Sequence, residues 1–113
     1  MLVISLILFA AAAVFGIINL IPILKNKQTS EPAVYTHGFL AAAALLLLII
    51  FSIDFAGGLP VISMILFIIV ALVGFILFAR DLFKKPGPKS VALIHGAVAF
   101  ISFILLLIFV FNS

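Results

Sequence analysis

The chain has 113 residues, of which 68% are hydrophobic and 8% charged, and carries a net charge of +3. A soluble domain of this size buries only about 60–70% of its surface, so this composition excludes an ordinary soluble fold and points to the bilayer. There is no cysteine, which removes disulfides, thiolate-held metals and thiolate-held iron–sulfur clusters.

The first apolar run, residues 2–24, exceeds the roughly 20 residues that a helix needs to cross a bilayer. In lipid the backbone must pair internally, so each such run is expected to be a helix. This one lacks a basic leader and reads as a retained span rather than a signal peptide. Asn19 and Pro22 lie late in it, where the proline loosens the last turns. Polar residues 25–32 follow, with Ser30 and Pro32 as helix-start signals. The second span, 33–53, begins with Tyr35, Thr36 and His37. Loop 54–58 ends in Gly57-Gly58, a chain break. The third span is 59–79. Loop 80–90 opens with Arg80-Asp81, expected to pair at the helix end, and closes with Ser90, a capping signal for the fourth span, 91–111.

All six cations lie in segments 25–32 and 80–90, which share one side of a four-span protein. The positive-inside rule makes that side cytoplasmic and places loop 54–58 and both termini outside. The basic balance is therefore a topology signal, not a nucleic-acid site, and the expected location is a bacterial inner membrane.

The chain reads as two copies of one unit. With an offset of 58 and no gap, Val3-Ile4-Ser5-Leu6-Ile7-Leu8-Phe9 falls on Val61-Ile62-Ser63-Met64-Ile65-Leu66-Phe67. Gly16 falls on Gly74, Lys27 on Lys85, and His37-Gly38 on His95-Gly96. Two helices per unit, 1–53 and 59–111, give parallel repeats related by a pseudo-two-fold along the membrane normal. The expected fold is an all-α integral membrane protein, a four-transmembrane-helix bundle of two helical hairpins.

His37 and His95 are the only histidines. Helical spacing puts Ala41, Ala44 and Leu48 on the face of His37, and Ala99, Ser102 and Leu106 on that of His95. With Gly38 and Gly96 beside them and Gly16 and Gly74 on the partner helices, the expectation is a cleft of small side chains with an imidazole on each wall. Burying an ionisable group in the membrane is costly, which makes the pair a functional candidate. A flat apolar macrocycle suits the cleft. Haem iron accepts one axial imidazole on each face, which makes His37 and His95 the metal ligands. Gly38, Gly96, Gly16, Gly74, Ala41 and Ala99 would border the haem. Its propionates would seek the cationic side, where Arg80, Lys84, Lys89, Lys25 and Lys27 lie. Thr36 is placed to tune a ligand through a neighbouring hydrogen bond. No residue reads as a catalytic acid, base or nucleophile.

This arrangement resembles the four-helix membrane b-type cytochromes, in which histidines on facing helices hold haem within the bilayer. The resemblance implies haem b, electron transfer and a haem-dependent oxidoreductase role. A quinol, superoxide or a respiratory protein would be the redox partner. Those families often hold two haems; two histidines allow one within the chain, or sites across a homodimer. Competing readings are a small transporter or channel, whose usual buried acid is missing from the first span, and an accessory subunit of a membrane complex. For the histidines themselves the alternatives are a proton relay, a divalent metal site or plain helix packing. A topology reporter fused after Ser113 is expected to register the outer side; cytoplasmic activity of the fusion would reverse the orientation.

Overall fold

The computed structural model describes residues 1–54, 57–85 and 88–112. Of the loop residues discussed above, Phe55-Ala56 and Pro86-Gly87 lie outside this set, as does Ser113. The described residues form four α-helices and no strand: α1 (Leu2–Leu24), α2 (Glu31–Ser52), α3 (Leu59–Leu82) and α4 (Lys89–Phe111). All four are long and apolar enough to cross a membrane. The molecule measures 42 × 23 × 20 Å, against a hydrocarbon thickness of about 30 Å.

The first helix begins and ends where its composition predicts. The others differ at their polar ends. Helices α2 and α4 each begin two residues before the apolar run, because a first turn at the interface tolerates Glu31 and Lys89 and accepts Pro32 near the helix start. Ser90 is consequently inside α4, with Pro88 in the capping position, and Ser30 occupies the α2 cap without a side-chain hydrogen bond. Helix α3 runs three residues past Ala79, through the charged pair, because charge at an interface does not stop a helix. A left-handed residue does.

That stop is the same at the C-terminal ends of α1 and α3. Asn26 (φ 56°) and Lys84 (φ 54°) adopt the left-handed conformation. After α1, Lys27 N–H donates to Pro22 O (2.8 Å) and Asn26 N–H to Ile23 O (3.1 Å). After α3, Lys85 N–H donates to Arg80 O (3.0 Å) and Lys84 N–H to Asp81 O (2.9 Å). Both are Schellman caps, which satisfy the last carbonyls of the helix. At the other end of the bundle Gly57 and Gly58 carry positive φ, 150° and 88°. That conformation favours glycine and lets the chain turn between hairpins.

The helices pack in a ring, α1 against α2, α2 against α3, α3 against α4 and α4 against α1, so that α1 faces α3 and α2 faces α4 across the diagonals. Contacts down the centre join residues 58 apart. Phe9 stacks on Phe67 with ring centroids 3.9 Å apart and 7° between planes, and Phe51 meets Phe109 edge-on at 6.3 Å. Leu48 and Leu106 are fully buried. Ser5 Oγ donates to Ala44 O and Ser63 Oγ to Ser102 O, both at 2.8 Å. These pairs close one half of the bundle with side chains and leave the other half, toward loops 25–30 and 83–88, to the site.

The two serine bonds tie each hairpin, but interhelical hydrogen bonds in membranes average only about 0.6 kcal/mol. Ser5→Ala and Ser63→Ala are therefore expected to cost about that much each. Ser5→Leu, which forces a large side chain into a position with no exposure, should cost several times more. Denaturant titration of the protein in detergent micelles reads the difference.

Candidate functional site

The unfilled half of the bundle encloses a cavity of about 1040 Å³, at the upper end of the range for ligand pockets. Its floor is the Phe9–Phe67 stack, and its walls include Gly16, His37, Gly38, Ala41, Gly74, His95, Gly96 and Ala99. Eight of the nine expected site residues thus line one space. Arg80, the ninth, is an exposed residue near the end of α3 and is not on the cavity wall. The cations that are on it are Lys27, Lys84 and Lys85, with Glu31 and Asp81 among them. The reason is the caps: the chain reverses at Asn26 and Lys84, which turns the following lysines toward the mouth. Exposed Phe39, Phe75 and Phe100 also belong to the wall, so the cavity reaches the lateral surface of the bundle.

The two imidazoles project from the diagonal helices α2 and α4 and meet across the cavity, ring centroids 6.2 Å apart and planes at 71°. Each lies on a glycine of its own hairpin. A Cβ added at Gly16 would stand 3.1 Å from His37 Cε1, and one at Gly74 3.1 Å from His95 Cε1. These glycines make room for the histidine rings while remaining on the cavity wall. Gly38 and Gly96 are different. A Cβ on either meets nothing within 4 Å, so they keep open space beside each ring.

His37 Nδ1 lies 2.7 Å from the Ala12 carbonyl on α1. Only a protonated Nδ1 can donate there, which leaves Nε2 with its lone pair available. His95 Nδ1 is buried facing the backbone of Val70, the residue 58 beyond Ala12, in a weaker and less well aligned version of the same contact. Thr36 Oγ1 donates to Pro32 O of its own helix at 2.7 Å, so it caps its own turn and does not tune His37. Asp81 accepts from Thr29 Oγ1, which binds loop 25–30 to the end of α3; this contact, not visible in the sequence, helps shape the mouth. Asn19, whose role composition did not suggest, lines the cavity and donates Nδ2 to Ala33 O at 3.3 Å.

What can two imidazoles hold? Among the described residues no group of three or more His, Asp or Glu assembles, and a protein-only tetrahedral site wants three or four ligands. Two imidazoles binding a metal on opposite sides, with bonds of about 2.0–2.1 Å, put their ring centroids about 6 Å apart. The observed separation fits that geometry. Gly38 and Gly96, both exposed, leave open space on the cavity wall next to each histidine, and the apolar floor is opposed by a mouth where Lys27, Lys84 and Lys85 outnumber Glu31 and Asp81.

No protein-family description matches the chain, and no curated protein or solved structure is detectably similar to it.

Gly16→Ala should move the His37 ring, because the Ala12 bond leaves that ring little freedom to yield. The gain of up to about 1 kcal/mol for replacing a helical glycine is then offset. Gly38→Ala has no such neighbour and is expected to keep or slightly raise stability. Thermal unfolding of the two variants in detergent checks the contrast, and equal behaviour would show that the ring is not confined.

Proposed function

We propose that this chain is a membrane b-type cytochrome that holds one haem between His37 and His95 and transfers electrons. The observation that carries the reading is the pair itself: two imidazoles from diagonal helices, 6.2 Å apart, facing each other across a ligand-sized cavity whose carboxylates, Glu31 and Asp81, assemble with them into no group of three among the described residues. Recurrence of contacts at a separation of 58 supports the two-repeat architecture with a pseudo-two-fold along the bundle axis. Four helices of spanning length and cations gathered at one end support insertion in a bacterial inner membrane with that end inside.

The haem would supply one-electron redox chemistry. The chain's own residues supply the rest. His37 and His95 would hold the haem from both sides, an arrangement that favours electron shuttling over binding of a substrate. The Ala12 carbonyl orients His37. Phe9 and Phe67 exclude water from the floor, and Lys27, Lys84 and Lys85 accept the acidic edge at the mouth. Because exposed Phe39, Phe75 and Phe100 belong to the cavity wall, a lipid-soluble quinol can approach from the bilayer; superoxide or a redox protein would come to the mouth. Arg80, at the same end of the bundle, adds to the positive field there.

The test is an absorption spectrum of the purified protein, oxidised and then reduced with dithionite. A sharp Soret band with resolved alpha and beta bands is expected, and His37→Ala or His95→Ala should each abolish the six-coordinate spectrum. A protein that stays colourless when haem is supplied during expression overturns the reading. If either single variant keeps a normal low-spin spectrum, the pairing within one chain is wrong.

A further inference from the structure

We propose that Asn19 makes the mouth half of the cavity a site for a membrane-soluble molecule with a hydroxyl group, whose O–H donates to Asn19 Oδ1. This deepens the reading above, on which it rests for the use made of the ligand, by selecting the quinol among the partners named there. The site itself is built from the chain's own side chains.

The starting point is a break in the repeat. Among the described residues, every uncharged hydrogen-bonding side chain on the cavity wall, the histidines aside, belongs to the first unit: Asn19, Asn26, Gln28, Thr29 and Tyr35. The middle three lie between α1 and α2, whereas Asn19 and Tyr35 lie within those helices. The residues 58 positions on from Asn19 and Tyr35 are Leu77 and Leu93. Leu77 lines the same cavity as Asn19. The bundle therefore accepts a leucine at that place, and packing alone does not call for an amide.

An amide in an apolar helix is costly unless both of its groups are bonded. Asn19 is only 9% exposed. Its Nδ2 donates to Ala33 O on α2 at 3.3 Å, while its Oδ1 is buried with no hydrogen-bond partner. Tying α1 to α2 thus uses half of the side chain, and the other half is a pure acceptor. The Ala33 bond is long for an N–H···O contact, so the amide can turn Oδ1 to a donor that arrives in the cavity. Asn19 also stands one turn beyond Gly16, hence on the mouth side of the His37 ring that lies against that glycine.

The ligand's chemistry follows from the acceptor. Superoxide has no hydrogen to donate, and the lysines at the mouth serve an anion better than Oδ1 does. A hydroxyl on an apolar ring supplies the missing donor. Exposed Phe39, Phe75 and Phe100 carry the cavity wall to the lateral surface, which is the route for a molecule dissolved in the bilayer. Two residues along α2 from Ala33, Tyr35 meets Phe78 of α3 edge-on, with ring centroids 5.8 Å apart. Both lie on the wall and offer a ring an aromatic surface.

The experiment measures binding of tetramethylhydroquinone and of its dimethyl ether, which keeps the ring and lacks the donors. Equilibrium dialysis is run on the purified protein in detergent micelles against protein-free micelles, with dithionite present so that no electrons pass between ligand and protein. The wild type is expected to bind the hydroquinone about tenfold more tightly than the ether, the scale set by leaving a buried acceptor unpaired. Asn19→Leu, which installs the residue found at the matching place in the second unit, should bring the two affinities together. Equal binding of both compounds by the wild type, or a preference that survives in Asn19→Leu, overturns the proposal. Should Asn19→Leu fail to fold, Asn19→Ala removes the acceptor without added bulk and is read the same way. A protein that contains haem but shows no preference overturns this site and leaves the cytochrome reading standing. A colourless protein that prefers the hydroquinone, with the preference lost in Asn19→Leu, does the reverse.

Discussion

A histidine inside an apolar bundle must have somewhere to put its ring and something to do with its Nδ1 hydrogen. Here the first need is met by removing a methyl group from the neighbouring helix. Gly16 and Gly74 stand where any side chain would press on Cε1 of an imidazole. The ring can then bring its Cε1 edge against the partner helix. The second need is met by a backbone carbonyl about one helical turn earlier on that same partner helix, fully for His37 and incompletely for His95. The approach of the two rings to 6.2 Å follows from these two local arrangements and from the diagonal placement of α2 and α4.

The rest of the bundle divides into a filled half and a hollow half for reasons of side-chain size. Below the histidines, phenylalanines and leucines meet their counterparts 58 residues away, and the stacked pair Phe9–Phe67 seals the axis. Around the histidines the facing positions carry glycine and alanine, Gly16, Ala41, Gly74 and Ala99 among them, and the centre is open. The hollow half ends in paired Schellman caps, which return the chain over the mouth and bring Lys27, Lys84 and Lys85 onto it. The result is a polarity gradient along one cavity, apolar at the floor and charged at the entrance, where Glu31 and Asp81 accompany the three lysines.

The sequence reading located much of this. Spans, their number and the offset of 58 follow from hydropathy and self-comparison. Eight of the nine nominated residues line the cavity because helical periodicity places residues on a face with little ambiguity. Where it went astray the error was physical in kind. Helix ends were assigned at the edge of the apolar run, although α2, α3 and α4 continue into charged residues at the interface. Arg80 was chosen for its charge and position near the right end, but only a three-dimensional cap shows that the lysines beyond it face the entrance instead. Thr36 was assigned to its neighbour His37, whereas a hydroxyl within a helix readily bonds the carbonyl one turn back. The Thr29–Asp81 contact joins residues 52 apart and had no signal in either segment.

The sequence by itself determined that the chain is four apolar helices in two like halves, with a histidine at the same place in each, because hydropathy and periodicity are properties of local residue order. Only the tertiary structure decided that these histidines face each other across a cavity and that Gly16 and Gly74 lie against their rings. Those facts depend on how closely one helix approaches the next. That distance is set by the summed bulk of side chains on both helices, which no single stretch of sequence contains.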